Sequence, residues 1–372
     1  MQNTERGQKL FSWPRLKRLG PSFIIFCLIF TLFINLNKSD IILSMKKNII
    51  RIIIFILCLS ICFILGYEIK PTQTLPAKPI RENTDEYSFI HPLLATGISD
   101  TRNPTPIYAN LAKKVQDFIT NQKKLSNIDE ASVYFINYGI NGFFSFNEDE
   151  NYAPASLLKV VIMVGYLKES DDNLNILDKQ FTYTSDISHA MESIPFESPT
   201  KLKIGYSYSV SDLIDKMITD SDNGAMSLLL GHIDNGYLNE VYTNLGLKAP
   251  EDGSTYTISA KEYSIFFRIL YNATYLSKNS SEKALSILSK TTFGDGLVKD
   301  LPKNIVVAHK FGEHINTKGN LIDSIELHDC GLIYNTKGPY LLCIMTKGKT
   351  LESLTDTISK ISKIVYDDVS LR

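Results

Sequence analysis

The chain has 372 residues, a formal net charge of −1 and 44% hydrophobic residues. That length suits one large domain or two modest ones with a sizeable core, and the near-neutral balance gives no general attraction to nucleic acid. Five cysteines are too few for a disulfide scaffold at this length, and the six histidines are scattered without zinc-ligand spacing, so neither a metal nor another cofactor is expected.

Two apolar runs open the chain, Phe23 to Leu36 and Ile49 to Gly66. The first is short for a bilayer span and the second is about long enough. Met45-Lys46-Lys47-Asn48 reads as a start followed by a basic n-region, so residues 1–44 are taken as an upstream extension of the reading frame. No small-x-small cleavage site follows Gly66, and Leu59-Ser60-Ile61-Cys62 is a poor lipobox because Ile61 is too large. Residues 45–66 are therefore expected to be an uncleaved signal anchor in the membrane, with Lys46, Lys47 and Arg51 held inside. Cleavage, which would give a secreted protein, is the alternative. Either way the remainder is expected to be extracytoplasmic. Pro71, Pro76, Pro79, Pro92, Pro104 and Pro106 mark residues 67–106 as a Pro-rich linker.

Residues 107–372 carry the periodic patterns. Ile107 to Leu125 has apolar residues at helical spacing, and Ala131–Tyr138 with Gly142–Phe146 reads as a β-hairpin around Gly139-Ile140-Asn141-Gly142. A block over about 155–290 is largely helical, with segments Leu157–Lys168, Val210–Thr219, Asn223–Gly231, Gly236–Leu245, Ala260–Tyr275 and Ser280–Leu288. Strands return at Val306–Phe311, Ile325–Tyr334 and Tyr340–Thr346, and a helix from Leu351 to about Tyr366 closes the chain. Strands at both ends of the domain predict one antiparallel sheet flanked by helices, with the helical block as an inserted all-α subdomain: an α+β fold. The cleft between the two parts is the expected place for a site.

Three short strings fall where that architecture would bring them together. Ser156-Leu157-Leu158-Lys159 opens an apolar helix, where the dipole favours an activated hydroxyl and the lysine three positions on shares its face. Such a lysine acts as a base only when burial or a second cation lowers its pKa. Ser221-Asp222-Asn223 lies between two helices, and Lys310-Phe311-Gly312 ends an apolar strand. Each has an ordinary reading on its own: a cap serine with a solvated lysine, a helix-capping string, and an exposed strand-end lysine.

Taken in order, SxxK, SDN and KxG resemble the active-site-serine hydrolases of the class A β-lactamase and penicillin-binding-protein type. The resemblance spans about residues 107–368. It implies Ser156 as nucleophile, Lys159 as its base, Ser221 as proton shuttle, Asn223 as a binding residue and Lys310 as an anchor for a substrate carboxylate. Gly312 would let substrate approach the strand, and the backbone N–H groups of Ser156 and Glu313 would form the oxyanion hole. The implied substrate is a β-lactam or a peptidoglycan-stem peptide, and the alternatives are a D-alanyl-D-alanine carboxypeptidase or a penicillin-binding sensor that acylates and stalls.

Two departures from the family pattern bear on turnover. No Glu-Pro-x-Leu-Asn string occurs, and the short stretch from Gly246 to Thr257 offers Glu251, read as an exposed loop carboxylate, as its glutamate. Phe311 stands where a small hydroxyl residue is usual. Acylation with slow deacylation is the expectation. Cys330 and Cys343 lie on strands joined by Asn335-Thr336-Lys337-Gly338; paired numbers summing to 673 set them opposite each other, whereas a bulged turn separates them. Small buried thiols are the expected state.

Overall fold

The structure, a computed structural model, describes residues 51–58, 60, 80–82, 86–95, 105–186, 201–251, 255–319 and 321–372. The chain divides into two units, Met1–Thr74 and Leu75–Arg372. In the first, residues 51–58 are helical. The extension over residues 1–44 and most of the expected anchor over 45–66 lie outside the described residues. Among the described residues no helix is long and apolar enough to cross a membrane.

The second unit begins with β1 (Ile80–Arg81) and β2 (Leu93–Ala95), then α1 (Ala109–Lys124), β3 (Glu130–Asn137), β4 (Gly142–Phe146) and β5 (Asn151–Tyr152). The helical block holds α2 (Leu158–Asp172), the short pair β6 (Gln180–Thr182) and β7 (Ser207–Ser209), α3 (Val210–Thr219), α4 (Asn223–Leu230) and α5 (Asn235–Asn244). Then follow β8 (Ile258–Ser259), α6 (Ala260–Asn272), α7 (Lys278–Leu288), β9 (Val307–Lys318), β10 (Leu321–Ile333), β11 (Tyr340–Gly348) and α8 (Leu351–Ser370).

One antiparallel sheet in the order β4-β3-β11-β10-β9 unites early and late strands, as the pattern of the chain ends predicts. Both of its faces are covered, which explains the unbroken apolar run in β11. Leu341, Cys343 and Met345 join the core shared with the helical block, while Tyr340, Leu342 and Ile344 join the core under α1 and α8. Helix α2 is apolar all round, with Val160 to Leu167 buried, and serves as the axis of the helical block.

Two expectations change. Within the stretch read as a linker, the described residues are docked rather than free. Glu282 accepts the backbone N–H groups of Ser88, Phe89 and Ile90 at 2.7 to 3.0 Å, and Ile90 is buried in the core. Arg81 lies over the rings of Tyr138 and Tyr271, 5.2 and 5.1 Å from their centroids. Proline frequency signals a lack of regular structure, not a lack of contact. The second change concerns the cysteines. The β10–β11 register pairs Cys330 with Cys343, the 673 register, and the two form a disulfide in place of the expected free thiols. Denatured without reductant, the protein should therefore show two fewer reactive thiols than after reduction. Cys343→Ala should lower the unfolding free energy by about 3 kcal/mol, the scale of closing a loop this short, read from urea titrations.

Candidate active site

The SxxK serine stands in a single 3-10 turn, Ala155–Leu157, that leads into α2. Ala155 has φ +48° and Ser221 has φ +55°, left-handed values that cost a residue with a Cβ roughly 1–3 kcal/mol each. Ser221 belongs to the second motif and Ala155 directly precedes the first. They are held there by packing: a Cβ on Gly312 would stand 2.8 Å from Pro154 O and 3.2 Å from Leu157 N. Only glycine lets β9 lie this close to the serine turn, which is how the third motif meets the first.

The second motif divides its duties. Asp222 turns back to cap α4, accepting the N–H of Ala225 at 2.7 Å, as its ordinary reading predicts. Its neighbours face the buried Lys159 instead. Lys159 Nζ donates to Ser221 O at 2.6 Å, to Ser221 Oγ at 2.9 Å and to Asn223 Oδ1 at 2.7 Å. Burial brings its pKa down to about 7, against the opposing pull of Asp222.

Lys310, also buried, donates to the same Ser221 Oγ at 3.0 Å and to Phe311 O at 3.1 Å. Burial, with the Lys159 charge beside it, holds its ammonium well below the ordinary range. A hydroxyl has two lone pairs and one proton. With both lone pairs given to lysines, the Ser221 O–H is left to donate into the cleft. The structure thus brings together Ser156, Lys159, Ser221, Asn223, Lys310 and Gly312. Glu313 follows on β9, half-buried, its carboxyl pushed up by burial. The partners of Lys310 differ from those of the expected carboxylate anchor: it is fully covered, and its Nζ lies 4.2 Å from the centroid of the Phe311 ring.

Sequence reading missed the residues that hold the serine turn from behind. Glu326 Oε2 accepts the Ala153 N–H at 2.8 Å, His328 Nε2 donates to Ala153 O at 3.0 Å, and Tyr263 O–H donates to Leu157 O at 3.1 Å. Glu326 and His328 are polar residues two apart on a strand buried on both faces, and that alternation was the available signal. Glu251 is exposed and paired with Lys248 at 3.1 Å, in keeping with its reading as a loop carboxylate. His309 and Asp329 form a buried pair at 2.9 Å, and the Asp329 charge partly offsets the burial of Lys310.

Residues 110–369 match the β-lactamase enzyme family, and the chain belongs to it. It is a β-lactamase-like hydrolase. A β-lactamase of Proteus vulgaris is 24% identical over 221 residues, covering 55% of this chain and 72% of that protein. The fold is similar to that of a PBP-A variant solved as its acyl-enzyme with penicillin G, with a TM-score of 0.60 and 22% identity over 74% of this chain and all of that one. A class A β-lactamase from Bacteroides cellulosilyticus also gives 0.60, with 19% identity over 70% of this chain and 99% of the other.

Burial keeps the His328 imidazole below its ordinary value of 6.5. Below that pH the unfolded chain takes up the proton more readily than the folded one, so stability falls as the pH drops. His328→Gln keeps a donor for Ala153 O without the titration. It should flatten the loss of unfolding free energy between pH 7 and pH 5 in urea titrations; an unchanged loss would place the acid sensitivity elsewhere.

Proposed function

We propose that the protein cleaves an amide, a β-lactam or a D-alanyl peptide bond, through an acyl-Ser156 intermediate, and that deacylation is slow. The observation that carries this reading is the hydroxyl of Ser221 shared by two buried lysines beside the serine turn. Lys159 in its neutral form takes the Ser156 proton as Oγ attacks the carbonyl carbon. The N–H groups of Ser156 and Glu313 receive the oxyanion. Ser221 gives its proton to the leaving nitrogen and is resupplied from Lys159, so the proton lost by Ser156 ends on the leaving group. Lys310 assists by holding Ser221 in place, and Asn223 by holding Lys159 and the substrate amide.

Slow deacylation is supported by what surrounds Glu251. An exposed carboxylate paired with a surface lysine is not the buried, oriented base that activating a water beside the ester calls for. Lys159 must then serve a second time. The same machinery acting on a D-alanyl peptide would make a carboxypeptidase, and a complete halt after acylation would make a penicillin-binding sensor.

A penicillin should add one adduct, lost in Ser156→Ala by intact mass. A chromogenic β-lactam should give a burst equal to the enzyme and then slow turnover, unaffected by Glu251→Gln. Fast hydrolysis without a burst would refute the slow step. The acylation rate should rise from pH 6 to pH 8 and then level, following an apparent pKa of about 7. Lys159→Ala should lower it by about 10²–10⁴-fold, the usual worth of a positioned base.

We also propose export, with residues 45–66 as the anchor. Lys46, Lys47 and Arg51 ahead of the apolar run support this, as does a disulfide suited to an oxidising compartment. The protein should sediment with washed membranes and be digested by protease added outside intact cells; recovery in the soluble cytoplasmic fraction would refute the anchor.

A further inference from the structure

The one strong departure inside the motifs is Phe311, and its surroundings show a constructed wall. The Phe311 ring is 3% exposed and stacks on Phe293 with centroids 4.0 Å apart and planes 15° from parallel. Phe293 is held from both sides. Ahead of it, Thr291 Oγ1 donates to His309 O at 2.8 Å, and after it the Leu297 N–H donates to Asp329 Oδ2 at 2.8 Å. A Cβ on Gly296 would stand 2.1 Å from that same Asp329 oxygen, so the turn lies tight against the strand. The buried His309–Asp329 pair thus fixes the turn that carries Phe293, and Phe293 fixes Phe311 over Lys310.

The wall covers the lysine that would grip an anion. Lys310 is fully covered, and both of its hydrogen-bond acceptors belong to the protein. The described arginines of this unit are engaged elsewhere. Arg81 lies over Tyr138 and Tyr271, Arg268 acts on Tyr138, and Arg372 pairs with Asp368 at 2.7 Å. His314, exposed on β9, stands across from Glu326. Asp222, Glu326 and Asp329 are buried beside the motifs, each accepting a backbone N–H, and bring no positive charge. A planar guanidinium or an open ammonium is what carboxylate recognition requires.

We propose that this site selects acyl donors that are uncharged where the leaving group lies along β9, with Phe311 and Phe293 as the specificity-determining residues. The substrate class is a neutral amide, lactam or ester. The inference rests on the acyl-Ser156 reading and narrows its substrate.

Benzylpenicillin and its methyl ester share one lactam and differ by one charge, so their acylation rate constants, followed by intact mass, isolate the effect. The ester should acylate the wild-type protein at least as fast as the acid. Phe311→Ser uncovers Lys310 and supplies a hydroxyl, and should move the ratio toward the acid by roughly tenfold, the worth of one hydrogen bond to a charged group. Phe293→Leu, which frees Phe311 without altering the strand, should move it the same way. A wild-type protein that favours the acid tenfold or more overturns this proposal while leaving the acyl-enzyme reading intact. Ratios unchanged in both variants overturn it as well. No adduct at Ser156 from either compound overturns both readings.

Discussion

The Ser221 hydroxyl accepts hydrogen bonds from Lys159 and Lys310, and that shared oxygen joins three segments far apart in the chain. One segment opens α2, one connects α3 to α4, and one is the sheet strand β9. Two ammonium groups around one oxygen in a buried site are held below their ordinary charge, Lys159 by desolvation and Lys310 by desolvation with the Lys159 charge beside it. Suppressed lysine charge is therefore a consequence of the assembly, not a separate device. The same geometry that closes the fold between sheet and helical block lowers the charge of Lys159.

Holding that arrangement takes support from several directions. Two residues with positive φ, Ala155 and Ser221, persist because the surroundings leave no room to relax. Gly312 lets β9 press on the serine turn, Tyr263 holds Leu157 from α6, and Glu326 with His328 grips both polar atoms of the Ala153 backbone. Cys330 lies opposite Lys310 in one neighbouring register and opposite Cys343 in the next. The disulfide thus crosses the sheet directly beside the lysine. Helix and strand elements hold Lys159, Asn223, Lys310 and Gly312, and the short α3–α4 connection holds Ser221 between them.

Much of this was legible in the sequence because the signals are local or periodic. The α+β order, the helices from α2 to α7 and the central strands follow from apolar spacing, and the site residues follow from three short strings in a fixed order. Other features depend on contacts that spacing does not encode. β9 continues through Glu313 to Lys318, and β10 begins at Leu321, four residues before its apolar run. Polar residues on a partly exposed ribbon carry no core pattern, so those extensions were missed. The docking of residues 86–95 depends on partners far along the chain, Glu282 for three backbone N–H groups, Tyr271 for the His91 N–H and Tyr334 for the Phe89 carbonyl. The disulfide turned on the register of a four-residue turn, which composition leaves open between two pairings. The burial of Lys310 was not legible for a related reason: KxG names the strand but not what lies over it.

The departures from the family pattern share a location. The shared lysine–serine centre is over-determined by packing, so any change there would break several contacts at once. What differs is the rim. Glu251 sits exposed in a short loop, and Phe311 with Phe293 replaces a polar edge with an aromatic one. An exposed loop such as that of Glu251 has few neighbours and accepts substitution at low cost, whereas Phe311 is buried and matched by Phe293. On the proposed reading, the nucleophile, base and proton shuttle all lie within this centre, which is what forming an acyl-enzyme requires. Selection of the acyl donor and release of the acyl group depend on the rim, where the base for water and the grip on the leaving group would have to stand. Such a division retains the first half-reaction while leaving substrate and turnover free to change.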